Sequence, residues 1–484
     1  MRTQIWNYKY ANLLSFVLFL TYIIFQDYLA VPWMDELCFT DTAINYVNKG
    51  EWYSNVWNYT YQPLYEILMI LWLKVFGISH AIVCNFNIFL SFVIFLLLQR
   101  LLIQHGFITK RSTCYLFVFA YWLEFYFSSL ITKGRIDILS LLFAIVLLSN
   151  VLQIGITKKN AFLIFVGSFL LMGTTIYNIP IISLFILSLW VFNYKYAGRK
   201  EWFLKGMLTL CGFSLSFLCV CMFYYKQNLL LYYLSSFFTF RDAYDMSMLT
   251  KVLCSYISVS SILQLLSVIV LTYKNIRLKG SERKMWLIVI LLIPLVMILI
   301  GRYQPYYSWM FIIPMTFYIV SLFDINNSRF RIYITVFFIA LSAMLRVAYN
   351  IKMRTPQYSL RKGIKEEVDS SVNVAQNKNI YITNALLYYP MVEKGKEIYM
   401  LINDNDKLSD KVTNNKFLYF CLGDKYKEPV PTLKLPDTGL MVSLGKKELE
   451  DNLAKLKSQG YNYRIFEKNS KIQIVRFAKH HTDR

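Results

Sequence analysis

Charge is scarce in this sequence and histidine almost missing. Only 17% of its 484 residues are charged, whereas 56% are hydrophobic; soluble domains carry about 25% charged residues. That deficit excludes an ordinary soluble globule and places most of the chain in lipid. The four histidines, His80, His105, His480 and His481, build no HExxH or comparable metal signature. None of the eight cysteines belongs to a CxxC pair, and most sit inside apolar runs. They read as small core residues, which excludes a thiolate metal centre and a disulfide framework. The first apolar run is long and has no small-residue cleavage site after it, so it is expected to stay as a membrane anchor. Internal repeats and low-complexity tracts are absent as well.

What the sequence does contain is apolar runs of membrane-crossing length. We read eleven, at about 11–31, 81–103, 113–131, 137–156, 161–177, 179–194, 203–225, 252–273, 286–301, 307–323 and 332–349. Basic residues fall in alternate connections: Arg100, Lys110 and Arg111, then Lys158 and Lys159, then Lys195, Arg199, Lys200 and Lys205. The pattern continues at Lys274, Arg277, Lys279, Arg283 and Lys284, and ends at Arg329 and Arg331. By the positive-inside rule these connections are cytoplasmic, and the C-terminal tail lies outside. The formal charge of +22 is explained by this topology, so no nucleic-acid partner is expected.

The stretch 62–77 (QPLYEILMILWLKVFG) is apolar but short, and it carries Glu66 and Lys74. A helix along the interface fits it better than a crossing, so 32–80 reads as one outer loop. Beyond about residue 350 the composition turns polar. Strand-like pieces at 379–383 (NIYIT) and 416–421 (KFLYFC), with a helix-like pattern at 446–460 stopped by Gly460, predict a small α/β domain over 351–484. The expected fold is therefore an α-helical multi-pass membrane protein, residues 1–350, with a small extracytoplasmic C-terminal α/β domain.

Chemistry-bearing residues gather on the outer side, where charges close to a membrane are costly. Asp35 and Glu36 follow the first run; Lys133, Arg135 and Asp137 stand in ITKGRIDIL; Arg302, Tyr306 and Tyr307 stand in GRYQPYYSWMFIIP. A loop at 224–251 adds Arg241. Each group has a plainer reading: a solvated loop start, a polar turn, an aromatic belt with a snorkelling arginine, an ordinary loop. Together they supply what transfer from a lipid-linked sugar needs. Fixed Arg or Lys donors stabilise a departing phosphate, and a carboxylate serves as general base where histidine is scarce. Asp35 is the first choice of base, with Asp137 or Glu36 next.

The Asp-Glu pair, the later Pro63-Leu64-Tyr65 and the closing Phe76-Gly77 resemble the prokaryotic branch of the GT-C superfamily. That branch includes aminoarabinose transferases of lipid A and protein O-mannosyltransferases. GRIDILSLLFAIVLL is similar to its second outer motif, with Asp137 in the acidic position. GRYQPYYSWMFIIP is similar to a later motif with paired tyrosines, Tyr306 and Tyr307, and a closing Pro314. Gln62 stands where many relatives have a basic residue or second proline, and 81–87 lacks an Arg that relatives often carry. The resemblance implies an inverting glycosyltransferase that uses a polyprenyl-phosphate sugar, with a membrane-associated envelope acceptor. It implies Asp35 as base, Glu36 and Asp137 orienting the acceptor or helping to hold a divalent cation, and Lys133, Arg135 and Arg302 on the donor phosphate; Tyr65 and, from the 224–251 loop, Arg241 are expected to bind substrate, as are Tyr306 and Tyr307. Metal dependence stays open; Asp35 and Asp137 are the residues that would hold a divalent cation. A flippase, a lipid-linked glycan polymerase or ligase, and a non-catalytic scaffold are the rival readings.

Overall fold

The computed structural model describes residues 8–32, 34–52, 54, 63–104, 108–153, 155–175, 198–226, 230, 233–234, 329–377, 379–400, 438–468 and 472–479. The runs at 179–194, 252–273, 286–301 and 307–323 and the strand at 416–421 lie outside the described residues.

The apolar runs that are described are helical. The first forms α1 (Lys9–Ile24), which breaks at Phe25 and resumes as the short α2 (Gln26–Leu29). The stretch 32–80 holds α3 (Met34–Lys49) and α4 (Pro63–Phe76). Helix α4 stops at Gly77, whose φ of +88° only glycine adopts without strain. Its N–H closes the last turn on the Leu73 carbonyl at 2.8 Å. The Phe-Gly motif is thus a helix stop.

Next come α5 (His80–Gln104), α6 (Arg111–Trp122), α7 (Phe125–Leu130), α8 (Asp137–Val151), α9 (Lys158–Thr174) and α10 (Arg199–Lys226). The run at 113–131, read as one span, is two helices. Glu124 breaks it and caps α7, accepting the Phe127 N–H at 2.5 Å; an acid inside an apolar run was the signal. At the end of α8, buried Lys205 donates to the Val151 carbonyl at 3.0 Å and to the Gln153 carbonyl at 2.5 Å. It fills carbonyls that a helix terminus leaves open.

The last described membrane helix, α11 (Arg329–Tyr349), does not end there. It passes through a π turn (Asn350–Arg354) into α12 (Thr355–Ser370), so residue 350 lies inside a continuous helix. Among the described residues, three helices are long and apolar enough to cross a membrane: His80–Gln104, Arg199–Lys226 and Thr335–Ser370. Lys9–Ile24 and Asp137–Val151 are shorter apolar helices. Gly212 of α10 faces Phe165 and Ser168 of α9 so closely that a Cβ would lie 2.4 Å from the Phe165 carbonyl oxygen. Small residues at a crossing are how helices approach in lipid.

After α13 (Val372–Gln376) the chain builds β1 (Asn379–Ile382), α14 (Tyr388–Val392), β2 (Glu397–Met400), β3 (Thr438–Ser443), α15 (Lys446–Ser458), β4 (Tyr461–Lys468) and β5 (Gln473–Lys479). The five-stranded sheet has the order β2-β1-β3-β5-β4. Strand β1 pairs parallel with β2 and β3, and β5 pairs antiparallel with β3 and β4. The strand expected at 379–383 and the helix expected to stop at Gly460 (φ +82°) are both present.

Candidate active site

The first acidic helix, the 131–136 turn and the start of the C-terminal domain meet at one buried carboxylate. Glu36, 1% exposed, accepts three hydrogen bonds. Tyr389 Oη donates to its Oε1 at 2.9 Å, His80 Nε2 stands 3.0 Å from Oε1, and the Gly134 N–H donates to Oε2 at 3.2 Å. A buried carboxylate needs such partners, because desolvation otherwise disfavours its charged form. Three donors from three segments fix the start of α3 in place.

Gly134 explains the small residue in TKGRID. A Cβ there would lie 2.5 Å from Val83 Cγ1 and 2.9 Å from Glu36 Cγ, too close for any side chain. The turn is held from behind by Asn87 of α5, whose Nδ2 donates to the Lys133 carbonyl at 2.5 Å and the Arg135 carbonyl at 2.7 Å. Arg135 Nε pairs with Asp137 Oδ2 at 2.8 Å, with both side chains buried, and its guanidinium lies 5.1 Å from the Phe39 ring centroid.

Five residues along α3, Asp41 repeats the pattern. Tyr388 Oη donates to Oδ1, Ser54 Oγ donates to Oδ2 at 2.8 Å, and Asn45 Nδ2 donates to Oδ2 at 3.2 Å. The adjacent tyrosines of α14 thus reach the two buried acids of α3, and burial pushes both phenols well above the usual tyrosine range. They stay protonated and donate.

Cations collect beside this junction. Lys133 is pushed down to about 8, by burial first and then by Arg354 and Arg135. Arg346 of α11 and Arg354 of the π turn are buried, 5% and 6% exposed. Arg346 Nη2 approaches the Ser128 carbonyl at 3.5 Å. Tyr65 of α4 is fully buried, and its hydroxyl has no hydrogen-bond partner among the described residues. Burial, then the charge of Glu36, raises that phenol well above its usual range.

Of the residues singled out in the sequence, Glu36, Tyr65, Lys133, Arg135 and Asp137 are brought to one region. Asp35 stands on α3 one residue before Glu36, and its side chain lies outside the described residues. Arg241, Arg302, Tyr306 and Tyr307 also lie outside them. The structure adds residues that sequence reasoning did not assign to the site: Cys84, Arg346, Arg354, Arg361, Tyr388 and Tyr389. Arg346, an arginine inside an apolar run, carried a readable signal; the tyrosines of ALLYYP carried none.

Glu36, His80 and Cys84 each bring one ligand atom within 4.8 Å of the others, a set that could hold a metal ion. The hydrogen bonding opposes it. Arg361 Nη1 lies 3.3 Å from His80 Nδ1, and a guanidinium only donates. Nδ1 therefore accepts, Nε2 carries the proton, and that proton points at Glu36. Asp137, the other carboxylate considered for a metal, is already paired with Arg135.

No protein-family model matches the sequence, and no curated protein matches it. Solved structures do. ArnT from Cupriavidus metallidurans bound to undecaprenyl phosphate is similar with a TM-score of 0.61 at 9% identity, covering 97% of this chain and 98% of that one. The same ArnT in the apo state is similar with a TM-score of 0.53 at 10% identity, over 95% and 97%. The Archaeoglobus fulgidus oligosaccharyltransferase tethered with an acceptor peptide scores 0.48 at 11% identity, over 91% and 70%. The chain thus shares the fold of ArnT, and it is at the level of fold that the resemblance read from the motifs is borne out.

Proposed function

We propose that this chain, which shares the fold of ArnT, is a membrane glycosyltransferase that moves a monosaccharide from a polyprenyl-phosphate donor to an envelope acceptor. The reaction takes place at the outer face and inverts the anomeric centre. The observation that carries the reading is the junction at Glu36. It fixes the acidic helix α3, a buried cluster of cations and the Tyr65 hydroxyl, which has no hydrogen-bond partner among the described residues, around one place. The ArnT structure of the same fold holds undecaprenyl phosphate, a ligand whose headgroup calls for such cations.

Asp35 is the general base in this reading. It takes the proton of an acceptor hydroxyl, and the acceptor oxygen forms a bond to the anomeric carbon. The bond from that carbon to the phosphate oxygen breaks, and the phosphate leaves with its electron pair. Lys133, Arg135 and Arg302 offset the charge that develops on the leaving phosphate. Glu36, already holding three donors, positions α3 and takes no proton. Tyr65 and Arg241 contact the sugar or acceptor, with Tyr306 and Tyr307 beside them. Asp137 holds Arg135. The C-terminal domain sits on the loop side of the membrane domain and contributes to acceptor recognition.

Envelope glycan mass spectrometry tests this in a strain lacking the protein, complemented with wild type or Asp35→Asn. Loss of one sugar mass in both the empty strain and the variant, at normal protein level, supports the transferase. A normal glycan profile with Asp35→Asn removes the base, and a flippase then becomes the better reading.

A further inference from the structure

Arg354 is a buried cation without a carboxylate partner among the described residues. It is 6% exposed, and its Nε has no hydrogen-bond partner among the described residues, which also supply no ion pair to it. The Tyr349 ring lies 5.7 Å from the guanidinium centre. Lys133 lies close enough for Arg354 to perturb its ammonium, and Arg346 perturbs the same ammonium. Arg346 shares the Tyr349 ring, also at 5.7 Å. Glu36 favours the Lys133 ammonium and Glu124 favours Arg346, which leaves Arg354 as the buried charge without an acid among the described residues; such a charge costs several kcal/mol unless something compensates it.

The backbone is shaped to create this. Arg354 closes the π turn Asn350–Arg354, an interruption within an otherwise α-helical stretch. A π turn disturbs the regular i→i−4 bonding and rotates the residues that follow, a feature frequent at functional sites. Here Tyr28 of α2 stabilises it, its hydroxyl 3.2 Å from the Asn350 carbonyl and 2.7 Å from Thr355 Oγ1. A helix that only needed to leave the membrane would require neither the wider turn nor an inward arginine.

We infer that the π turn builds an anion site in which Arg354, with Arg346 and Lys133, binds a phosphate ester. This rests on the proposed function in that it names further residues for the donor phosphate. A charged hydrogen bond of this kind is worth about ten-fold or more in affinity.

The test uses full-length protein in detergent, with farnesyl phosphate, undecaprenyl phosphate and uncharged undecaprenol as probes. Arg354→Gln is expected to weaken both phosphates at least ~10-fold and to leave undecaprenol unchanged. Its ligand-free melting temperature should hold or rise, because a repelled charge is gone. Phosphate affinity equal to wild type overturns the inference. So does a lowered melting temperature joined to equal loss of undecaprenol, which marks a structural residue, and so does a wild type that binds neither phosphate. Tyr28→Phe, which loosens the π turn and retains all three cations, should weaken the phosphates and spare undecaprenol; unchanged binding removes the π turn from the argument. Wild type that binds phosphate through Arg354 and transfers no sugar would sink the function and leave the site standing. Sugar transfer with phosphate affinity indifferent to Arg354→Gln would do the reverse.

Discussion

Removing the Tyr389 hydroxyl should unfasten the acidic helix from the C-terminal domain without opening a cavity. In Tyr389→Phe the ring stays in its buried place, so the loss is one hydrogen bond to Glu36 Oε1 at 2.9 Å and a weak contact to Thr40 Oγ1 at 3.4 Å. A hydrogen bond to a charged group contributes about 1.5–3 kcal/mol. Glu36 keeps its donors from His80 and Gly134, so a cost near the lower end, about 1.5–2 kcal/mol, is expected. The assay is a double-mutant cycle with Glu36→Gln, read by reversible unfolding in mixed micelles. Because the two groups share one bond, their effects should be coupled by about 1 kcal/mol or more. On the proposed function, sugar transfer should also fall with Tyr389→Phe, because α3 carries Asp35, the proposed base. A coupling below about 0.3 kcal/mol, which is the level of independent sites, would refute the junction. Tyr388→Phe, acting on Asp41, should behave in the same way and add to the first.

Gly134→Ala should destabilise the protein by about 1–3 kcal/mol through overpacking, since its Cβ would meet Val83 and Glu36. Gly206→Ala in α10, where nothing lies within 4 Å, should be neutral or slightly stabilising; thermal unfolding separates the two. For Lys133, lowered to about 8, the cation is present below that pH and lost above it. Donor affinity should therefore fall as pH rises through about 8, and binding a phosphate near pH 8 should take up a proton, measurable by calorimetry in buffers of different ionisation enthalpy. The unfolded chain binds the lysine proton more tightly between about 8 and 10.5, so this one group makes stability rise with pH across that window. Arg361→Gln frees His80 Nδ1 to carry the proton. Zinc should then raise the melting temperature of the variant and leave wild type nearly unchanged; an equal rise in both would show that Glu36, His80 and Cys84 bind metal despite Arg361.

What could be read in advance divides along the range of the interactions involved. Apolar runs specify helices because every peptide group in lipid must bond within its own segment, and a single glycine specifies a stop because only it adopts positive φ freely. Both signals are local, so α5, α10, the end of α4 at Gly77 and the end of α15 before Gly460 were legible. The break at Glu124 was local too, and was missed because hydropathy averaged over a window hides one acid. The junction is of another kind. Glu36 and Tyr389 are 353 residues apart in the chain, and nothing near ALLYYP distinguishes those tyrosines from any half-apolar helix start. Their role exists only once α12 has carried the chain back over the loop. The carboxylate pair after the first span stood out in the sequence, but the burial of Glu36 among three donors did not. Adjacent residues on a helix point about 100° apart, so the partners that anchor Glu36 (His80, Gly134 and Tyr389) are specific to that one position. A sequence displays two equivalent acids; burial and three donors from distant segments make Glu36 the fixed one.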